Sequence, residues 1–419
     1  MALDATAEAC DRGPPGVPGR PNWQAGRRQK HRRQDGDVRV AGWSAMAGMH
    51  DFVVPDEAAA QASAEELAAY GFPRVLARPH RDGGWLVMAL DEGPYPVDTV
   101  GHRQIEAVSG EAAAIARAHC GRPRGGSRFD VSRIAEHRTW TAPIEVIGTK
   151  ARPPVPEVTI VPAPPLEPLA LTPDSSAPGT VKLTGLDDVP WADLEHAHGS
   201  ADDVPDLLRE LAGGTQEWDE VLDELFGDNL LHQGDCYEAT APTLPFLTEL
   251  IVADVVPAPQ RRDLYLWLMV AGGRRNDNLI GFAELAQDEG EPLQPGAWTE
   301  EVFRTVGDQI PVLLDRWDAE PQGIRFVLAV LAAQHPDHGV RAADRIAALA
   351  AELDGTQQGA YVRLALELVH GRNEQALALA TEIVGWADQL EPEWLKAPGV
   401  PDGIKAAHVL AEGALHTIE

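Results

Sequence analysis

The chain has 419 residues, three cysteines and a formal charge of −30, from 35 Lys and Arg against 65 Asp and Glu. That length fits two or three domains with a sizeable core, and the scattered Cys10, Cys120 and Cys236 exclude a disulfide framework or a CxxC zinc site. The acidity is concentrated: residues 186–419 hold 14 basic against 43 acidic side chains, which repels nucleic acid and anionic lipid and suits a basic protein partner or plain solubility.

Residues 1–45 combine GPPGVPGRPNW with the basic run Arg27–Arg33 and almost no periodic apolar positions. They read as a disordered basic tail, or as residues upstream of a true start at Met46 or Met49. No apolar segment follows the basic residues as a secretion signal requires. The longest apolar run, Leu264–Ala271, is far too short to span a bilayer. A cytoplasmic protein without membrane attachment is expected.

Residues 46–150 predict a small α+β domain. Ala62–Tyr70 is an Ala/Glu-rich helix ending at Gly71, and Arg74–Pro79 and Trp85–Leu90 are strands around a turn at Arg81–Gly84. Gly110–Cys120 is a second helix, and Pro143–Ile147 and Val158–Val161 are short β-branched runs. The polar residues Asp91, Glu92, His102, Arg103 and Asp130 show no spacing that signals chemistry and read as solvated surface. Residues 151–185 are Pro-rich without helical period, which predicts a semi-rigid extended linker.

From 186 to 419 the pattern is helical. A segment from Pro190 to Gly199 opens it. Val204, Leu207, Leu208 and Leu211 then form one apolar stripe, and Trp218, Val221, Leu222, Leu225 and Phe226 another. Leu244–Ile251 gives a third stripe, and Leu264–Val270 is apolar all round, as in a helix buried between neighbours. AGGRRNDN at Ala271–Asn278 lacks the order of a phosphate loop and reads as a helix-ending loop. Further helices are expected at Val312–Trp317, Ile324–Leu331, Ile346–Leu353, Tyr361–Val369, Ala376–Trp386 and Ile404–Leu415. Many short helices in recurring pairs favour a degenerate α-solenoid over a bundle of few long ones. The expected fold is therefore mainly α: a C-terminal α-solenoid after a small α+β domain and a Pro-rich linker.

The stretch WADLEHAHGSADDVPDLLREL…LDELFGDNLLHQGDCYEATAPTLPFLTELI, over about residues 188–252, resembles an uncharacterised HEAT-repeat-like family common in actinobacteria. The resemblance implies an armadillo-type helical fold and carries no catalytic residues.

The densest reactive cluster lies in that stretch: Glu195, His196 and His198, then His232, Gln233, Asp235, Cys236 and Tyr237. A metal or acid–base site would need His198, His232 and Asp235 to converge. Two histidines two apart on a helix cannot share a face, and Gly234 with its neighbours reads equally as a structural turn. No metal or cofactor is predicted. Trp191, Trp218, Tyr237, Trp298 and Trp317 are candidate contact anchors, with core as the alternative for each. The favoured expectation is a non-enzymatic protein-interaction module binding a basic partner, as an immunity or antitoxin protein does. The alternatives are a hydrolase or other enzyme with a site at the His232 loop or within 46–150, and a HEAT-like DNA glycosylase, which the −29 charge of the helical region opposes.

Overall fold

The computed structural model describes residues 43–81, 83–154, 162–171, 179–253, 255–290, 292–387 and 389–418. The basic tail, apart from residues 43–45, and the run Val158–Val161 lie outside them. Two compact units divide at residues 160–161.

The first unit alternates strands and helices: β1 (Met46–Val54), α1 (Glu57–Tyr70), β2 (Arg74–Pro79), β3 (Trp85–Tyr95), α2 (Thr99–Ala118) and β4 (Arg122–Asp130). A short helical turn, α3 (Ile134–His137), and β5 (Ile144–Ile147) complete it. The sheet order is β4-β1-β3-β2-β5 with every pairing antiparallel. This is the split βαβ arrangement with one added edge strand. Asp56 and Asp98 each cap a helix start, accepting from the backbone of Ala59 (2.8 Å) and Gly101 (3.0 Å). Side-chain alternation sends Phe52, Val87 and Ala89 toward Leu67 and Ile105 of the helices. Met49, Met88 and Leu90 face the other way, under Val131 and Ile134.

Asp91 corrects the surface reading of this domain. It continues the helix-facing set of β3 and is 1% exposed. Its carboxylate accepts from the Tyr95 hydroxyl (2.7 Å) and pairs with Arg152 Nη1 (2.7 Å), while Arg152 Nη2 donates to the Tyr95 oxygen (2.5 Å). Burial by itself raises a carboxyl pKa, but here the neighbouring donors and the guanidinium outweigh it and hold Asp91 at about 2. His50 Nε2 lies 3.5 Å away without hydrogen-bond alignment, so Arg152 and Tyr95 do most of the holding.

The second unit is mainly helical. A two-stranded hairpin, β6 (Glu195–His196) and β7 (Gly199–Ser200), precedes α4 (Val204–Ala212) and α5 (Trp218–Leu222), which runs on as a π-helical segment to Leu230. Then come α6 (Thr240–Val252), α7 (Ala258–Glu289), α8 (Ala297–Asp315), α9 (Gln322–Gln334) and the short α10 (Pro336–Gly339). The last four are α11 (Ala343–Glu352), α12 (Gln357–Val369), α13 (Asn373–Trp386) and α14 (Asp402–Ile418). The α4 and α5 stripes are buried as their periodicity demands.

Two expectations fail here. The segment from Pro190 to Gly199 is a 3-10 turn and hairpin, not a helix. AGGRRNDN does not end a helix; α7 runs through it for 32 residues. Helices α6, α8, α9 and α14 all pack on α7, and that tertiary packing overrides the helix cost of two glycines, roughly 1 kcal/mol each. Among the described residues no helix is long and apolar enough to cross a membrane.

The Pro-rich stretch is not a free linker where it is described. Arg152 belongs to the first unit's buried network. Residues 162–171 lie along the helical unit: Gln358 donates to the Glu167 carbonyl (2.6 Å), the Gln357 amide donates to Pro165 (3.0 Å), and Leu169 and Leu171 pack on the core. Extended proline-rich chain leaves backbone carbonyls open, and the α12 N-terminus supplies donors for them.

Removing Arg152 strands a buried carboxylate. Arg152→Met is expected to cost about 3–5 kcal/mol of first-unit stability, read from faster hydrogen exchange of β1 and β3 amides. Because the folded Asp91 pKa lies below its ordinary 3.8, its contribution is present above that value and is lost as pH falls toward 2. Arg152→Met should therefore flatten the acid limb of the first unit's stability profile; an unchanged limb would contradict the network.

Candidate functional site

The predicted cluster in 195–237 comes together, but as structure. The His198 amide donates to His196 Nδ1 (3.0 Å), so that nitrogen is an acceptor and Nε2 carries the proton given to Asp203 (3.0 Å). Asp203 also accepts from buried Asn229 (3.1 Å), and the Glu195 carbonyl accepts from Ala239. These bonds knot the hairpin, the π-helical segment and the start of α6. Both nitrogens of His196 are committed, which identifies it as a structural histidine.

Exposed His198 does meet half-buried His232, with ring centroids 5.2 Å apart. With exposed Asp235 they form no metal-holding group among the described residues. Gln233, also exposed, holds a left-handed backbone (φ 53°) inside the turn at His232–Gly234. The amide of half-buried Tyr237 donates to Thr240 Oγ1 at the start of α6 (2.9 Å), and burial raises its phenol pKa. Burial likewise pushes the Cys236 thiol up to about 12, so it is no nucleophile.

The aromatic candidates divide sharply. Trp191, Trp218 and Trp317 are 3–5% exposed and belong to the core. Trp191 is anchored further by donating Nε1–H to the Leu186 carbonyl (2.8 Å). Trp298 is 43% exposed at the start of α8.

A groove of about 630 Å³ lies between α8 and α10. Four carboxylates line it, Glu300, Glu301, Asp308 and Asp337, with the guanidinium of Arg304 among them. Its inner wall is Phe303 and His335, with ring centroids 4.3 Å apart. Arg275 of α7 extends the stack, its guanidinium 4.7 Å from the Phe303 centroid, and Nε donates to Glu300 (2.8 Å).

His335 fits because two helices present glycine to it. A Cβ at Gly307 would stand 3.0 Å from Nδ1, and one at Gly272 would stand 3.2 Å from Nε2. Burial first, then the charges of His338 and Arg275, hold its pKa down to about 3, so the imidazole is neutral at physiological pH.

Compared with protein-family profiles, curated proteins and solved structures, the chain matches none. Among the described residues the groove, rather than the histidine-rich motif, offers an open cleft with convergent polar side chains.

Sequence reasoning missed the groove because its walls come from residues thirty apart, at 300–308 and 335–338. The signal available was Gly272 and Gly307 within helices and His335 directly after the apolar run of α9.

Cys236 gives a direct check on this packing. In the folded chain at pH 8 it should resist iodoacetamide, and peptide mapping should find it alkylated only after denaturation. Rapid labelling under native conditions would contradict its burial.

Proposed function

We propose that the helical unit is a non-enzymatic binding module whose acidic groove takes a basic segment of a partner protein. The observation that carries this reading is the groove itself: four carboxylates around an aromatic wall, against the guanidiniums of Arg304 and Arg275. Carboxylates at that density favour lysine and arginine side chains and disfavour nucleic acid. An immunity or antitoxin role is the form of this reading in which the partner is a basic toxin.

We also propose that the helices descend from a HEAT or armadillo-type repeat, in line with the family resemblance of residues 188–252. The sequential packing of α11, α12, α13 and α14 supports it. The return of α14 to α7 and α9 departs from an open solenoid, where each unit touches only its neighbours.

Binding of a labelled oligo-arginine peptide to the full chain, followed by fluorescence anisotropy, tests the groove. Glu301→Gln with Asp308→Asn should weaken it by about 10-fold, the sum of two exposed charge pairs. Glu374→Gln with Glu382→Gln, an equal charge change on the exposed face of α13, should leave it unchanged. Equal weakening by both pairs would reduce the effect to bulk charge and overturn the groove as the site.

A further inference from the structure

The face of α7 that carries Arg274 and Asp277 meets α14 away from the groove's lining residues. Asp277 Oδ1 lies 3.0 Å from His408 Nδ1, and Asp277 Oδ2 accepts from Arg274 Nη1 (2.8 Å). Glu412, one turn beyond His408 on α14, brings a second carboxylate. Ligand atoms of Asp277, His408 and Glu412 all lie within 4.8 Å of one another.

We propose that these three side chains hold a divalent first-row metal ion, of the Zn²⁺ or Mn²⁺ class, between α7 and α14. One imidazole nitrogen with two carboxylates is a donor set for that class. The Asp277–His408 separation is close to the roughly 3.3 Å kept by two ligands about 2.0–2.1 Å from one tetrahedral ion. His408 and Glu412 stand four apart, the spacing by which one helix face presents two ligands to one ion.

A second observation points the same way. His408 is 5% exposed, and its Nδ1 faces Asp277 Oδ1 at 3.0 Å, so the donor nitrogen is already held toward that carboxylate. The Trp394 ring packs edge-on at 4.4 Å and fixes the imidazole plane. Glu412 and Glu391 act on the imidazole together with Asp277, which Arg274 also pairs. Asp277 and Glu412 are half-buried, which leaves room for a water ligand and a route of entry.

The test uses the full chain, purified without chelator and measured for metal by mass spectrometry. It is then stripped with EDTA and titrated calorimetrically with Zn²⁺ and, separately, Mn²⁺. One ion per chain is expected, with visible d–d absorption from the Co²⁺-substituted protein. Glu412→Gln, at a half-exposed helical position, should keep native circular dichroism and weaken binding at least about 10-fold. His198→Ala with His232→Ala should leave binding intact. A folded wild-type chain that takes up neither ion would overturn the proposal. So would loss of binding in the His198/His232 variant with retention in Glu412→Gln, which would assign the metal to the surface histidines.

Discussion

Helix α7 carries formal charge into the interior of the helical unit, and that charge has to be answered at fixed places. At its first turns Arg261, 2% exposed, meets Glu320, whose side chain is fully buried. Arg261 Nη2 donates to Glu320 Oε2 (2.8 Å), and Arg316 Nε donates to Oε1 (2.8 Å). The Tyr265 hydroxyl adds a longer bond to the same carboxylate (3.3 Å), and Arg261 Nη1 donates to the Val256 carbonyl (2.5 Å). A carboxylate between two guanidiniums is tolerable in a core; any one of them left alone is not. The start of α7, the end of α8 and the link into α9 are thereby held at one spacing.

Thirteen residues further along, neighbouring arginines on α7 diverge. Arg275 reaches the groove, over Phe303 and onto Glu300. Arg274 turns to Asp277, and through it to His408 of α14. Successive residues on a helix point about 100° apart, so one helical turn serves two sites. The glycines that precede them, Gly272 and Gly273, let Gln334 and His335 of the α9 end come against the α7 backbone. Gln334 donates to the Met269 carbonyl there (3.1 Å). The polar middle of α7 is the joint around which α8, α9 and α14 are arranged.

That joint was the least legible part of the sequence. Amphipathic stripes in α4 and α5 were readable because their environment is simple: one face in, one face out. Strands β2 and β3 were readable as strand-like runs on either side of a turn. Strand β1 was not, because it is buried on both faces and interrupts its apolar run with Gly48, His50 and Asp51. Strand β4, RPRGGSRFD, is exposed over most of its length and shows no hydrophobic signal. Gly-Gly followed by Arg-Arg-Asn-Asp-Asn has the composition of a loop, and only packing partners distant in sequence make it helix. Asp91 likewise looked solvated because Arg152, its counterion, lies sixty-one residues away. Local composition reports local preference, and each of these positions is decided by a contact that composition does not contain.

The most direct measurement is hydrogen exchange, resolved to short peptides, across α7 in the full chain. Amides from Gly272 to Asn278 should exchange as slowly as those from Leu264 to Val270, because both belong to one buried helix with its polar groups answered. Exchange in the first segment at the rate of an open loop would contradict the continuous helix, and with it the placement of the groove and of the proposed metal ligands.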